Sequence, residues 1–379
     1  MKVTGDWLTA NPTQQVLDLL TGAGHQALVV GGCVRNALLG VAVTDVDIAT
    51  SARPEQVIAL AEKTGLRAVP TGIAHGTVTL VAQGTGYEIT TFRRDVATDG
   101  RHAVVAFCDD VAFDAARRDF TMNALYAQAD GLVLDPLGGL PDLLARRVRF
   151  VGDAAQRIAE DRLRILRFFR FHAQYGDAGA GLDPDALAAC AGAADGIVQL
   201  SAERIGAEMR KLLAAPDPAP ALGAMAASGV LAQVLPGADP RHVALLVHLE
   251  AGLPPHFLRR LLVLGGNTAR LRLTRSEKRT LAQMRAALGD MLPDAVLGYK
   301  LGRDTATDIT LARAALLETP LREDWQAQIA RGAQARFPIT ARDLPHLNGP
   351  ALGARLKALE ALWIASDFAA SKAELLASG

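Results

Sequence analysis

Gly31-Gly32-Cys33-Val34-Arg35, with Asp45-Val46-Asp47 a short distance downstream, is the most informative stretch of the chain. On an extended strand successive side chains alternate faces, so Asp45 and Asp47 project to one side while Val46 packs beneath them. Two carboxylates on one face suit Mg²⁺, a hard cation that takes one or two carboxylates and completes its shell from water and substrate phosphates. The glycines lack a Cβ, so the chain turns tightly there and backbone N–H groups come close to an anion. A helix starting near Val34 aims the positive end of its dipole at the same place, with Arg35 as a bidentate clamp on phosphate. Asp-X-Asp alone is more often a solvated turn; joined to Gly-Gly-X-X-Arg it points to nucleotidyl transfer.

The 379 residues suit two or three domains, and half of them are apolar, which is ample for buried cores. Forty basic side chains balance forty acidic ones, so a nucleic-acid partner has to be held by local basic patches and not by a global field. Cys33, Cys108 and Cys190 form no Cys-X-X-Cys pair, which indicates neither a disulfide framework nor a zinc site and fits a reducing cytoplasm. No run approaches the ~20 apolar residues of a membrane span, and the first ten residues lack the apolar core of a signal peptide. A soluble, cytoplasmic, unprocessed protein is expected, with no membrane association and no obligate protein partner.

The character of the sequence changes near Leu140. Before it, strand-like runs at 27–30, 77–81, 87–92 and 104–107 alternate with helical stretches such as 54–63. After it, Ala, Leu and Arg recur at helical spacing, broken by proline turns at Pro216-Asp217-Pro218, Leu253-Pro254-Pro255 and Phe337-Pro338. The fold class expected is α+β, a mixed α/β unit followed by helices.

Three further segments carry chemistry. In Tyr87-Glu88-Ile89, a strand beside the aspartates lets Glu88 complete a metal cluster or position an attacking hydroxyl; an ordinary exposed strand glutamate is the alternative. Residues 93–101 mix charge with Gly100 and read as a loop able to close over a substrate. In Arg117-Arg118-Asp119-Phe120-Thr121-Met122-Asn123, a helix puts Asp119 and Asn123 on one face beside Arg118, a set suited to a ribose and its phosphates; Asp119 is equally a helix cap. In Glu160-Asp161-Arg162-Leu163-Arg164-Ile165-Leu166-Arg167, Asp161 and Arg164 lie three apart, and on a helix they form a coplanar pair. Such a pair accepts from an exocyclic amine and donates to a ring nitrogen, admitting cytosine and adenine and rejecting uracil and guanine. Taken alone, it is more simply a surface salt bridge.

With these blocks in order, the chain resembles the bacterial tRNA nucleotidyltransferases of the CCA-adding type, in the class that also includes bacterial poly(A) polymerases. The glycine turn with Asp45 and Asp47 resembles the catalytic motif, residues 117–124 the ribose motif, Asp135-Pro136-Leu137-Gly138-Gly139 the hinge, and residues 160–167 the base-selecting motif. A fifth block, Ala202-Glu203-Arg204-Ile205 through Lys211-Leu212-Leu213, resembles the neck helix beneath the base-reading helix. More weakly, Leu271-Arg272-Leu273 and residues 337–359 resemble the body and tail that hold the tRNA elbow. The resemblance implies a catalytic head at 1–139, a neck at 140–215, an RNA-binding body at 216–330 and a tRNA-binding tail at 331–379. It also implies template-independent addition of C, C and A to the tRNA 3′ end from CTP and ATP. Asp45 and Asp47 would hold Mg²⁺ and Glu88 would join the catalytic set. Nucleotide binding would fall to Gly31, Gly32, Arg35, Arg118, Asp119, Asn123, Glu160, Asp161, Arg164 and Arg167. A small rotation about Gly138-Gly139, sensed by residues 93–101, is expected to switch the site from C to A.

Asn36 departs from the family, which usually has aspartate there; an amide keeps the shape and loses the charge. No His-Asp dipeptide is present, so no appended phosphohydrolase domain is expected. Eight arginines between Arg146 and Arg170 face Asp153, Glu160 and Asp161, a local balance of +5 near the triphosphate. Arg259, Arg260, Arg270, Arg272, Arg275, Lys278 and Arg279 against Glu277 give +6, a second candidate surface for the tRNA backbone. Poly(A) polymerase is the nearest rival, although such enzymes usually carry Arg-Arg-Phe near the position of Ala74-His75-Gly76 and a long basic C-terminal extension. CC-only or A-only adding enzymes keep every motif. A metal-dependent glycosyltransferase and a Rossmann dehydrogenase do not explain residues 160–167, and neither Gly-X-Gly-X-X-Gly nor Gly-Lys occurs; a non-catalytic RNA-binding module is disfavoured by the complete set of candidate metal ligands.

Overall fold

The computed structural model describes residues 1–99 and 102–378, with the backbone alone for 95–99 and 102–104. Its contacts divide the chain into two compact units, one of residues 1–240 with 266–272, the other of residues 241–265 with 273–379.

The first unit is built on a seven-stranded mixed sheet. Its strands are β1 (Ala27–Val30), β2 (Asp47–Thr50), β3 (Arg67–Gly72), β4 (Thr77–Ala82), β5 (Thr85–Thr91), β8 (Tyr126–Ala127) and β9 (Val133–Leu134), in the order β3-β4-β5-β2-β1-β8-β9. Sequence patterning explains the sheet. β1 is Ala-Leu-Val-Val and is buried throughout, whereas β4 and β5 alternate, burying Val78, Leu80, Tyr87 and Ile89 and leaving Glu88 exposed. β2 and β5 run parallel, with the helix Pro54–Thr64 and β3 and β4 in the crossover between them.

The segment 93–101, expected as a loop, is mostly strand: β6 (Arg93–Asp99) pairs antiparallel with β7 (His102–Phe107) as a separate two-stranded ribbon. The strand-like run 104–107 was half of that signal, and the charged run 93–99 is its partner. Gly100 and Arg101, part of the expected sensor, lie outside the described residues.

Beyond residue 140 helices take over, as expected for the α+β class. Helix Leu163–Tyr175 buries Ile165, Leu166, Phe168, Phe169 and Phe171. Its phenylalanines meet Phe120 and Phe150, the Phe120 ring lying 5.0 Å from both Phe150 and Phe171. Helix Ala202–Leu213 packs alongside, capped by Ser201, with Glu208 paired to Arg170 in a buried contact. Gly139, ahead of these helices, is pinned: Asp135 accepts the N–H groups of Gly139 (2.8 Å) and Leu140 (2.9 Å), and a Cβ at Gly139 would run into the Thr121 carbonyl. Gly139→Ala is therefore expected to destabilise the protein by about 1–3 kcal/mol, an overpacking cost read by urea unfolding.

The second unit is helical among its described residues. Ile339, Leu344, Leu359, Trp363 and Leu375 form one core, lined by Tyr299, Phe337 and Phe368. Elsewhere the unit buries charge. Glu250 accepts from Arg259 (2.8 Å) and Arg260 (2.7 Å), and Asp308 accepts from Arg259 (2.9 Å) and faces His256 (2.7 Å). Arg259 and Arg260, expected to contact the tRNA backbone, are 4% and 1% exposed and already paired. Arg270, in the first unit, donates to the carbonyls of Gln233, Ile197, Val198 and Leu200. Arg275, Lys278 and Arg279 are exposed. No helix among the described residues is long and apolar enough to cross a membrane.

Candidate active site

The glycine turn joins β1 to a helix that starts at Gly32, two residues before the expected position, and ends at Leu39. Gly31 has φ +70°, a conformation that favours glycine, and its N–H is held by the Leu125 carbonyl at 3.0 Å. Cys33 beneath it is buried, and its thiol is pushed up to about 11 by that burial and by Asp47, so it packs as an uncharged side chain.

Asp45 and Asp47 differ in setting. Asp47 is the first residue of β2; Asp45 lies in the exposed segment before it, where Thr44 donates to its carboxylate at 2.9 Å. The expected alternation along one strand thus does not place Asp45. Parallel register sets Glu88 directly beside Asp47. Asp47 is held above the ordinary carboxylate range, first by loss of water, then by the charges of Glu88 and Asp45, with Arg118 opposing. Among the described residues no three His, Cys, Asp or Glu side chains are preassembled as a metal cage. Two carboxylates with their excess negative charge fit a hard cation that takes its remaining ligands from water and phosphate.

Arg35, expected as a phosphate clamp, is 7% exposed and held. It donates to Asn123 Oδ1 (2.5 Å), Asn36 Oδ1 (2.8 Å) and the Tyr175 hydroxyl (2.9 Å), and stacks on the Tyr175 ring with 4.1 Å to the centroid. It acts as a strut between the glycine-turn helix and helix Leu163–Tyr175. The Asn36 amide in turn donates to the Ala42 carbonyl at 2.9 Å, a bond to the Asp45 segment that an aspartate could not make.

Asp119 and Asn123 come together without the expected α-helix: Thr121–Asn123 is a single 3₁₀ turn after helix Val111–Ala116 has ended. Asn123 Nδ2 donates to Asp119 Oδ1 at 3.0 Å, while Asp119 Oδ2 pairs with Arg167 at 2.6 Å. Burial raises the Asp119 carboxyl, but Arg167 and Asn123 more than reverse this and hold it below the usual range. Arg118 lies beside Gly31.

The segment 160–167, expected to select the base, departs most from expectation. The helix Ala154–Glu160 stops at Asp161, whose carboxylate accepts the Leu163 N–H at 3.0 Å and so starts the next helix. The Arg164 N–H donates to the Asp161 carbonyl at 3.0 Å, but the two side chains take other partners. Arg164 pairs with Glu160 (2.5 Å), and Asp161 pairs with Arg204 of the neck helix (2.6 Å). Arg204 was visible in the neck block, but its partner 43 residues away was not. Arg157, also on Glu160 at 2.8 Å, completes the cluster.

Residues 27–149 match the family described as the poly A polymerase head domain, and residues 181–241 one described as a probable RNA- and SrmB-binding site of polymerase A. The human protein named CCA tRNA nucleotidyltransferase 1, mitochondrial, is 43% identical over 201 residues, 53% of this chain and 46% of that one. The zebrafish protein of the same name is 34% identical over 376 residues, 92% of this chain and 86% of that one. The crystal structure of the Bacillus stearothermophilus CCA-adding enzyme in complex with CTP matches with a TM-score of 0.77 at 29% identity, covering 94% of both chains. The chain spans about half the length of the first curated relatives it matches, 46% for the human and mouse proteins and 55% for that of Geobacillus thermodenitrificans. Because the zebrafish alignment runs through both compact units at this identity, the chain belongs to the CCA tRNA nucleotidyltransferase family.

Proposed function

We propose that the protein adds C, C and A to the 3′ end of tRNA from CTP and ATP without a nucleic-acid template, releasing pyrophosphate. The observation that carries this is the parallel register that sets Glu88 beside Asp47, with Asp45, Gly31 and Arg118 at the same strand end. Asp45 and Asp47 would hold the divalent metal such enzymes use, taken here as Mg²⁺. When bound, it supplies Lewis-acid activation of the tRNA 3′-hydroxyl and neutralises the triphosphate. Gly31 and Gly32 let backbone N–H groups approach the phosphates, Arg118 adds a fixed positive charge, and Asp119 and Asn123 offer an acceptor and an amide to the ribose. Glu88 is an exposed carboxylate within reach of the attacking hydroxyl. Head, neck, body and tail at 1–139, 140–215, 216–330 and 331–379 remain our functional division.

Base choice in this scheme falls to Asp161, exchanging Arg204 for the base edge, and to Arg164, held in place by Glu160, with Arg167 beside them. Arg164→Ala is expected to raise the KM for CTP about ten- to hundredfold, the loss of a charge-assisted hydrogen bond of about 1.5–3 kcal/mol. A wild-type KM in the variant would remove Arg164 from the scheme.

The test of the activity is extension of tRNA transcripts ending before the first C, after C and after C-C, with labelled CTP, ATP, UTP and GTP in Mg²⁺. Successive C, C and A supports the reading. The polymerase A names of the two matched segments favour one second reading, an A tail on generic RNA, and the same assay with an unrelated RNA detects it. Addition of CC alone or A alone would identify a specialist of the same chemistry.

A further inference from the structure

Asp114 belongs to none of the motifs quoted above, yet it is fully buried and accepts more bonds than any ordinary helix aspartate needs. Its Oδ1 takes Nε (2.8 Å) and Nη2 (2.6 Å) of Arg117; its Oδ2 takes Nη2 of Arg118 (2.9 Å) and the hydroxyl of Tyr126 (2.7 Å). The Tyr126 hydroxyl in turn accepts Nε of Arg118 at 2.9 Å. Tyr126 is itself fully buried, on β8 next to β1, so it is fixed to the sheet that carries the glycine turn, and Asp114, on helix Val111–Ala116, is tied to it through the hydroxyl. A guanidinium is planar, and bonds to Nε and Nη2 fix one of its edges and with it the plane. Among the described residues Arg118 Nη1 is left without a hydrogen bond, and it lies 3.4 Å from where a Cβ on Gly31 would stand. It is therefore at the glycine turn, within electrostatic reach of Asp47.

We propose that Asp114 and Tyr126 are positioning residues that hold Arg118 by one edge so that Nη1 presents its N–H groups to the phosphates of the incoming nucleotide beside Gly31. This rests on the nucleotide-binding reading above. Burial would raise the Asp114 carboxyl, and the two guanidinium groups with the Tyr126 hydroxyl more than reverse it, so the anchor stays ionised and the guanidinium stays charged. A flexible arginine loses its rotamer freedom on meeting a phosphate; this one has lost it beforehand.

The experiment is CTP binding in Mg²⁺ without tRNA, measured by calorimetry on the full chain, for wild type, Tyr126→Phe, Arg118→Ala and the double variant, with thermal unfolding of each as the check on folding. Tyr126→Phe keeps the ring and its packing and frees Arg118 Nε. The expected result is a roughly tenfold rise in Kd from Tyr126→Phe, in the range for one hydrogen bond to a charged group. In the Arg118→Ala background the same change should have no further effect, because Tyr126 acts through the guanidinium. Equal losses in both backgrounds, or an unchanged Kd in Tyr126→Phe, overturn the proposal. Asp114→Asn, which keeps shape and removes charge, is expected to weaken CTP in the same direction, and a wild-type Kd there also overturns it. Absence of CTP binding by the wild-type protein would instead defeat the nucleotide reading on which the proposal stands.

Discussion

Asp47→Ala is expected to lower CTP incorporation into tRNA by at least about 10³-fold while leaving the melting temperature unchanged or slightly raised. The chemical loss follows from where the carboxylate stands: at the first residue of β2, beside Glu88 and close enough to Asp45 to feel its charge. Loss of a metal-holding carboxylate removes several kcal/mol of transition-state stabilisation, and each 1.4 kcal/mol is a factor of about ten in rate. The stability argument runs the other way. Asp47 is exposed, lies at a strand end and is crowded by like charges, so its removal relieves repulsion and opens no cavity. Single-turnover incorporation and thermal unfolding on the same preparation separate the two effects. Incorporation near the wild-type rate would end the claim that Asp47 is catalytic.

Glu250→Ala should give the largest loss of stability of any single change in the second unit, about 3–5 kcal/mol. Glu250 is 3% exposed and faces Arg259 at 4% and Arg260 at 1%. Truncating it removes the carboxylate on which two buried guanidinium groups converge, while Arg259 keeps its bond to Asp308. Glu250→Gln keeps hydrogen-bond acceptance by one oxygen and should cost less. Urea unfolding followed by tryptophan fluorescence reads this directly, since Trp325 and Trp363 lie in the second unit and Trp7 in the first. A change below about 1 kcal/mol, the scale of an exposed pair, would show that the network is solvated in solution.

The α+β class and most of the strands were legible because their cause is local. Alternation in β4 and β5 and the continuous apolar run of β1 are properties of adjacent residues, and they also placed Glu88 correctly next to Asp47. Partnerships across long separations were not legible. Arg259 and Arg260 read as a basic surface because Glu250 and Asp308 lie 10 and 49 residues away in sequence, and only the folded unit brings them together. The same blindness paired Asp161 with Arg164: helical spacing favours them, but the backbone is extended at Asp161 between the two helices, and its carboxylate takes the Leu163 N–H and Arg204 instead. Arg35 followed the same pattern. Its motif suggested a ligand for phosphate, whereas Asn123 and Tyr175, remote in sequence, hold it inside the fold.

The one parallel pairing in the seven-stranded sheet, β2 with β5, makes the spacing of the acidic groups a matter of whole steps. Side chains on a strand have a period of two, so a slip by one residue would bring Tyr87 or Ile89, both buried, to the place of Glu88 and turn the carboxylate to the opposite side. No intermediate geometry exists between those positions. Length variation in the crossover is absorbed at its turns, outside the paired segment, but an insertion within 88–91 would shift Glu88 away from Asp47. Evolution of this site can therefore tune what surrounds the strand ends gradually, while the register itself can only be kept or lost.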